Sequence, residues 1–404
     1  MKEGYKKTEL GWIPNEWKVG KFEDILVPRK ETFNPKIEGN EIYVGLEHIE
    51  EATGRLICTG NSSDTSSIKN KFYNGDILFG KLRPYLRKYH MTDFSGVCVT
   101  EILVLTEKKS NNKFCYYNLQ QDNFIEYINS KTFGTKMPRT SWNDIKEYPI
   151  CIPPLKEQQK IAEILSTVDS QIDGAHKIIK KTKELKKGLM QRLLTRGIGH
   201  TELKKTEIGE IPVEWEVKRF SDISKINQGL QIAIEERFKE VAENRLPYIT
   251  IQYINDKSNI DNQFYIDNAN SSVVCYEEDI LMTRTGNTGV VVTNEYGVFH
   301  NNFFKVDFNR EVLIKDFLVY YLKSTQIQKL ILNYAGSTTI PDLKHKDFYR
   351  IPVIIPSIEE QKHIADILIS VDNEIKYYEN KKTKLEEIKK GLMQQLLTGK
   401  IRVV

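Results

Sequence analysis

The stretch KKGLMQRLLT at residues 186–195 returns almost unchanged as KKGLMQQLLT at residues 389–398. Each residue of the second copy lies 203 positions after its counterpart, and the same offset relates EQQKIAEILSTVD at 157–169 to EQKHIADILISVD at 360–372. Self-similarity at a fixed offset marks an internal repeat, and it decides the architecture before single-residue propensities are considered. The chain is therefore expected to be built as leader, variable domain and helix, followed by the same three parts again.

Both repeated stretches have the pattern of long amphipathic helices, with prolines as start signals just before them. Apolar or small residues recur at steps of three and four, as in a coiled-coil seam. In the two copies they are Ile161, Leu165, Val168, Ile172, Ala175, Ile179, Leu185, Leu189, Leu193, and Ile364, Leu368, Val371, Ile375, Tyr378, Leu385, Ile388, Leu392, Leu396. About 40 residues at ~1.5 Å each make a rod of about 60 Å. We predict that the two helices pair antiparallel; the alternative is that each packs on its own domain.

Matching leaders, TELGWIPNEWKV at 8–19 and TEIGEIPVEWEV at 206–217, precede the two variable parts. These parts contain short β-rich runs with one or two helices and no regular alternation of strand and helix, which indicates α+β domains. The predicted fold class is α+β, with two α/β domains separated by a long antiparallel coiled coil and related by a pseudo-twofold internal repeat. The predicted boundaries are 1–152 (leader and first domain), 153–197 (first helix), 198–355 (leader and second domain) and 356–404 (second helix and tail).

Composition limits the possible classes of protein. The 404 residues carry a formal net charge of only +4, so nucleic-acid binding has to be argued from local clusters. No apolar stretch approaches the ~20 residues of a membrane span, and the polar start MKEGYKKTEL is unlike a signal peptide, so a cytoplasmic protein without membrane contact is expected. The five cysteines are scattered without CxxC spacing and the seven histidines lack metal-ligand spacing, so neither a disulfide framework nor a metal site is expected.

Enzymatic motifs are missing or fail when the repeat is considered. The chain has neither the glycine-rich loop and N/D-P-P-Y/F element of a DNA methyltransferase nor the GxxxxGK[ST] loop of an ATP motor. Pro341, Asp342, Glu360 and Lys362 fit a loose nuclease spacing, but the first copy has Arg139 after its proline where the second has Asp342. We therefore expect no catalytic residues and no cofactor in this chain.

Basic residues mark candidate nucleic-acid contacts in the first domain. The segment KLRPYLRK follows an apolar run, and KMPR lies further along; together they supply Lys81, Arg83, Arg87, Lys88, Lys136 and Arg139. Arginine can bridge guanine O6 and N7, and both arginine and lysine hold phosphates. The alternative is that these residues form only a solvated face.

The second domain offers more polar candidates in the corresponding loops, RTGNTG at 284–289 and GSTTIPDLK at 336–344. The residues that could contact DNA are Arg284, Asn287, Ser337, Thr338, Thr339 and Lys344. The glycines of these loops could instead serve only to shape turns.

Taken together, the duplicated motifs resemble those of the specificity (S) subunit of type I restriction-modification systems over the whole length of the chain. They are the leader ending IPxEW, the strand DIL, the helix start EQxxIAxIL and the helix end KKGLMQxLLT. The resemblance implies a non-catalytic subunit whose two target-recognition domains each read one half of a bipartite, asymmetric site in double-stranded DNA. It also implies that the coiled coil sets the spacer between the half-sites.

The same resemblance implies partners and a cofactor outside this chain. Two methyltransferase subunits, which carry S-adenosylmethionine, are expected to dock on the helices, and motor-nuclease subunits are expected to join them. A coiled-coil scaffold that binds proteins and does not read DNA remains the alternative.

Overall fold

The computed structural model divides the chain into two compact units, residues 1–177 with 379–404 and residues 178–378. It describes residues 3–132, 137–267, 269–336 and 341–403. The five cysteines are free thiols. In the described ranges no helix is long and apolar enough to span a membrane.

Two long helices contribute to both units. They are the first long helix, Leu155–Arg196, and the second long helix, Ile358–Leu396. The boundary between the units falls near the middle of each. Each unit therefore contains one variable domain, the beginning of the helix that follows it and the end of the other helix.

The first unit contains an antiparallel sheet and a mixed sheet. The antiparallel sheet has the order Tyr89–Met91, Ile77–Gly80, Ile102–Glu107, Leu26–Pro28. In the mixed sheet Gly96–Cys98 and Ile42–Val44 are parallel, and the order is Thr32–Phe33, Lys69–Phe72, Gly96–Cys98, Ile42–Val44, Gly60–Asn61. The shorter helices are Phe22–Ile25, Pro35–Glu38, Asn112–Asn118, Asp122–Lys131 and Trp142–Lys146, with 3₁₀ turns at Leu46–His48, Ser62–Asp64 and Pro84–Leu86.

The second unit has the same two kinds of sheet, with four strands in its mixed sheet where the first unit has five. Its antiparallel sheet has the order Ser224–Gln228, Phe303–Phe308, Ile280–Thr283, Val291–Thr293. Its mixed sheet has the order Tyr265–Asp267, Arg245–Ile249, Gly297–Phe299, Val274–Cys275, in which Arg245–Ile249 and Gly297–Phe299 are parallel. The shorter helices are Phe220–Ile223, Ile251–Asn255, Lys315–Lys323, Thr325–Ala335 and His345–Phe348, with 3₁₀ turns at Ile234–Glu236, Ile260–Asn262 and Ser271–Val273. The α+β class is confirmed in both units.

The leaders form hairpins that open each domain. Strands Tyr5–Thr8 and Gly11–Pro14 pair in the first unit, and Leu203–Thr206 and Gly209–Pro212 pair in the second. The strand after each hairpin pairs antiparallel with the last strand before the long helix; these pairs are Lys18–Lys21 with Pro149–Ile152, and Glu216–Arg219 with Pro352–Ile355. The beginning and end of each variable domain are therefore joined beside the start of its long helix.

The tryptophan of each leader motif donates a hydrogen bond to a glutamate in the first turn of the long helix that follows its domain. Trp17 Nε1 donates to Glu157 Oε2 at 2.9 Å, and Trp215 Nε1 donates to Glu360 Oε2 at the same distance. Both indole rings are buried. Since Glu360 is held in this structural joint, its part in the loose nuclease spacing is a chance match.

Contacts inside the first unit show how the long helices pair. Lys389 Nζ lies 2.8 Å from Asp169 Oδ1, and the hydroxyl of Tyr117 donates to Asp169 Oδ2 at 2.8 Å. Ile161 and Leu165 of the first long helix share a hydrophobic core with Leu396 and other residues from the end of the second. The helices in this unit therefore run antiparallel.

The second unit repeats the contact with the roles of the helices exchanged. Lys186 Nζ lies 2.6 Å from Asp372 Oδ1, and the hydroxyl of Tyr320 donates to Asp372 Oδ2 at 2.8 Å. The residue numbers of the paired lysine and aspartate add to 558 in this unit (186 and 372) and also in the first unit (389 and 169). The predicted antiparallel pairing is therefore seen in each unit separately, and the same contact recurs in both.

Two positions of the predicted seam are wrong, because Leu185 and Ile388 are 55% and 51% exposed. Steps of three, four and three residues from Ile179 lead to Thr182, Lys186 and Leu189, so that a lysine occupies the seam where a leucine was expected. Lys186 is tolerated there because its ammonium group pairs with Asp372. The apolar side chain one position earlier is left on the surface.

Candidate nucleic-acid interface

The two basic segments of the first unit are brought together by the fold. Leu82 and Arg139 form an isolated antiparallel bridge. The amide of Arg83 donates to the carbonyl of Pro138 at 2.8 Å, and the amide of Thr140 donates to the carbonyl of Lys81 at 3.0 Å. Segments 81–88 and 137–140, which we call the first loop pair, therefore form one surface.

The first loop pair contains unusual backbone geometry. Arg83 and Arg87 have φ values of 50° and 53°, in the left-handed region, and they flank the 3₁₀ turn Pro84–Leu86. Ala52, which donates its amide to the carbonyl of Arg87 at 3.2 Å, has a φ of 59°. Such conformations are uncommon in residues other than glycine and cluster at functional sites. This geometry supports the choice of the first loop pair as a candidate functional site.

The basic side chains of the first loop pair differ in accessibility. Arg83 is exposed and has no ion pair among the described residues, whereas Arg87 lies 2.7 Å from Asp122 and Arg139 lies 3.0 Å from Glu101. Three further residues complete the predicted set: Lys81 is half-buried, Lys88 is only 15% exposed and donates to the carbonyl of Leu46, and Lys136 lies outside the described residues.

The second unit has an equivalent arrangement, the second loop pair, formed by segments 284–289 and 341–344. Thr285 and Asp342 form the isolated bridge, and the amide of Leu343 donates to the carbonyl of Arg284 at 2.9 Å. The guanidinium group of Arg284 donates two hydrogen bonds to the carboxylate of Asp342, from Nε to Oδ1 at 3.1 Å and from Nη2 to Oδ2 at 3.2 Å. Of the other candidates, Asn287 and Lys344 are exposed, and Ser337, Thr338 and Thr339 lie outside the described residues.

Several polar side chains missed by sequence reasoning surround Arg284. Its Nη1 donates to Gln228 Oε1 at 3.3 Å, the hydroxyl of Thr285 donates to Asn302 Oδ1 at 3.1 Å, and Asn301 Nδ2 donates to Gln231 Oε1 at 2.7 Å. In the sequence, the feature that could have indicated them is the position of NQG (227–229) and HNN (300–302) directly beside apolar runs that form strands. Amide side chains can form bidentate contacts with adenine.

His345 adds little positive charge to this surface. Burial lowers the pKa of His345, and the adjacent Arg284 cation lowers it further. Because the folded pKa falls below the ordinary histidine value, the ring is neutral at pH 7. The positive charge of the second loop pair therefore comes from Arg284 and Lys344.

Chemically, both loop pairs offer partly exposed cations and hydrogen-bonding groups. No group of three or more His, Cys, Asp or Glu side chains suited to holding a metal occurs in the ranges that the structure describes. Arginine, amide and carboxylate groups are those that read base edges, and lysine and arginine also hold phosphates. The fold therefore carries two similar but non-identical surfaces whose groups are suited to contact with DNA.

Comparisons with known proteins agree with this class. A family model described as the type I restriction modification DNA specificity domain matches residues 14–184 and again residues 212–389. The chain is 26% identical over 431 residues to the type I restriction enzyme MjaVIII specificity subunit of Methanocaldococcus jannaschii, which covers 99% of this chain and 96% of the relative. The crystal structure of a type I restriction-modification system S subunit from M. genitalium has the same fold, with a TM-score of 0.60 and 19% identity over 94% of this chain and 96% of that one.

This chain belongs to the family of type I restriction-modification DNA specificity subunits, because the family model matches it twice and covers most of its length. It is a component for DNA sequence recognition and not a catalytic one. Of the two functions left open by the sequence, family membership favours the DNA-reading subunit over the protein scaffold.

Proposed function

We propose that each loop pair reads one half of a bipartite, asymmetric DNA site, so that the chain directs modification and cleavage to one sequence. The observation that supports this best is the repeated geometry of the loop pairs, which present different side chains from equivalent backbone positions in the two units. Equivalent positions suit the same task, and different side chains suit different bases. The half-sites should therefore differ, and the full site should not be palindromic.

We further propose that two methyltransferase subunits, which carry S-adenosylmethionine, dock on the long helices, and that motor-nuclease subunits join them in the cytoplasm. Support comes from the apolar side chains Leu185 and Ile388, which are exposed at positions related by the 203-residue offset. The residues directly before and after each of them are polar, and each apolar side chain stands at the same place in its copy of the repeat. A duplicated surface fits two copies of one partner.

Replacing arginines in one loop pair should affect one half-site only. Arg83→Ala or Arg139→Ala is expected to weaken DNA binding by about 1 to 3 kcal/mol where the side chain is bidentate to guanine. Selection of bound sequences from a randomised pool, with the full chain assembled with its methyltransferase subunits, measures the preference at every position. Arg284→Ala is the reciprocal control and should alter the other half-site. Equal loss of preference in both half-sites would contradict separate reading.

Charge on the exposed apolar positions should remove partner subunits one at a time. Leu185→Glu or Ile388→Glu places a carboxylate in the proposed interface, so each variant should assemble with one methyltransferase subunit, and the double variant with none. Native mass spectrometry of the purified complexes gives the stoichiometry directly. Gln191→Glu and Gln394→Glu, exposed and also related by the 203-residue offset, are matched controls that should keep two subunits. A double variant that still binds two subunits would refute this docking surface.

DNA binding as such is tested by its dependence on salt. A gel-shift titration of the assembled complex should give a linear fall of log affinity with log salt concentration, since bound phosphates release counterions. A protein scaffold without DNA contacts would give no such slope.

A further inference from the structure

Three backbone positions at or beside each loop pair have counterparts in the other unit. In the first unit the amide of Lys81 donates to the carbonyl of Glu101 at 2.8 Å, and in the second the amide of Arg284 donates to the carbonyl of Asn302 at 2.8 Å. The third position lies on the second segment of each loop pair. Arg139 occupies it in the first unit, and Asp342 occupies it in the second. The two units therefore present three side chains from the same local backbone arrangement.

The charges at these positions are arranged differently in the two units. The first unit carries a lysine, a glutamate and an arginine; the second carries an arginine, an asparagine and an aspartate. Each unit nevertheless forms one arginine–carboxylate pair, Arg139 with Glu101 and Arg284 with Asp342. In the first unit the carboxylate belongs to Glu101, directly before the strand Ile102–Glu107. In the second unit it belongs to Asp342, on the second segment of the loop pair.

Structural stability alone is a weak reason for these ion pairs. The side chains of Glu101 and Asp342 are 32% and 35% exposed, and partly exposed pairs contribute little to stability. Carboxylates also repel phosphates, so their presence on a surface for DNA weakens attraction to any sequence. A carboxylate is useful there when it accepts a hydrogen bond from the N4 amine of cytosine in the major groove.

We propose that Glu101 and Asp342 are specificity-determining residues, each of which accepts a hydrogen bond from the N4 amine of a cytosine in its own half-site. In the free protein each carboxylate is occupied by its arginine, which on DNA is released to contact a guanine or a phosphate. The same carboxylates disfavour binding to other sequences. This inference rests on the proposed reading of one half-site by each loop pair.

The first experiment is selection from a randomised pool with Glu101→Ala and Asp342→Ala, which remove the acceptor oxygens, in the full chain assembled with its methyltransferase subunits. Each variant should lose about tenfold in preference for cytosine at one position of its own half-site, keep the other half-site and bind unrelated DNA more tightly. Asp173→Ala and Asp267→Ala, which remove the carboxylates paired with Arg55 and Arg245, are matched controls and should leave both half-sites unchanged.

A second measurement tests the hydrogen bond itself. At the cytosine so identified, replacement by 2-pyrimidinone removes the N4 amine; this should weaken binding of the unaltered protein about tenfold and that of the carboxylate variant hardly at all. Equal weakening of both proteins would overturn the inference, as would unchanged selection by Glu101→Ala and Asp342→Ala. The proposed interface would still stand if Arg139→Ala and Arg284→Ala altered their half-sites, and it would fail if they did not.

Discussion

Matched insertions of four residues after Ile179 and after Tyr378 are expected to move methylation to a new DNA sequence with a longer spacer and the same half-sites. Four residues add about 6 Å, close to one helical turn, so the seam is nearly preserved. Facing residues of the two long helices have numbers that add to 558. An insertion between residues 179 and 180 therefore lies opposite one between residues 378 and 379. At ~3.4 Å per base pair, the spacer should grow by one or two pairs. Sequencing of methylated positions in a host genome measures the change.

Insertion of four residues after Ile179 alone should also lengthen the spacer by one or two base pairs. The complex should then be less stable, because the added turn has no facing residues. Methylation of the original site by the doubly inserted chain, with its spacer unchanged, would refute the role of the helices in setting the distance.

Loss of a leader tryptophan is expected to have the largest effect on stability. Trp17 is fully buried, and Trp17→Ala removes its packing together with its hydrogen bond to Glu157. Substitutions of this kind cost about 3 to 5 kcal/mol in the free energy of unfolding. Trp215→Ala should cost a similar amount, because Trp215 is also buried and bonded to Glu360. Urea denaturation followed by circular dichroism measures both.

Trp12, in the same leader, supplies the control because it is 44% exposed. Trp12→Ala should change the free energy of unfolding by no more than about 0.5 kcal/mol. Equal stability of the Trp12→Ala and Trp17→Ala proteins would show that the joint between leader and helix is not a main source of stability.

Repetition made most of the fold predictable from the sequence. Glu157 and Glu360 lie at the same offset as the helix ends, so both long helices and their start points could be placed. Periodicity failed at Leu185 and Ile388, because Lys186 and Lys389 occupy the seam and are neutralised by aspartates on the facing helix. That pairing depends on tertiary contacts, which the apolar pattern does not contain.

The candidate interface was only partly predictable. The arginines stood out by residue type, but their carboxylate partners did not, since Glu101 is 38 residues from Arg139 and Asp342 is 58 residues from Arg284. The amides of Gln228 and Asn302 lie beside Arg284 through sheet pairing, which brings distant strand ends together. Residue type therefore indicated the chemistry, and topology decided which groups meet.

The most direct test of the central claim is the sequence recognised by the assembled complex, read from the adenines or cytosines that it methylates across a genome. Two reading heads predict two short, different, specific blocks separated by a non-specific spacer of fixed length. Reading heads on one face of the duplex should lie about one helical turn, roughly 34 Å, apart. A single continuous block, or a palindrome with identical halves, would contradict the account.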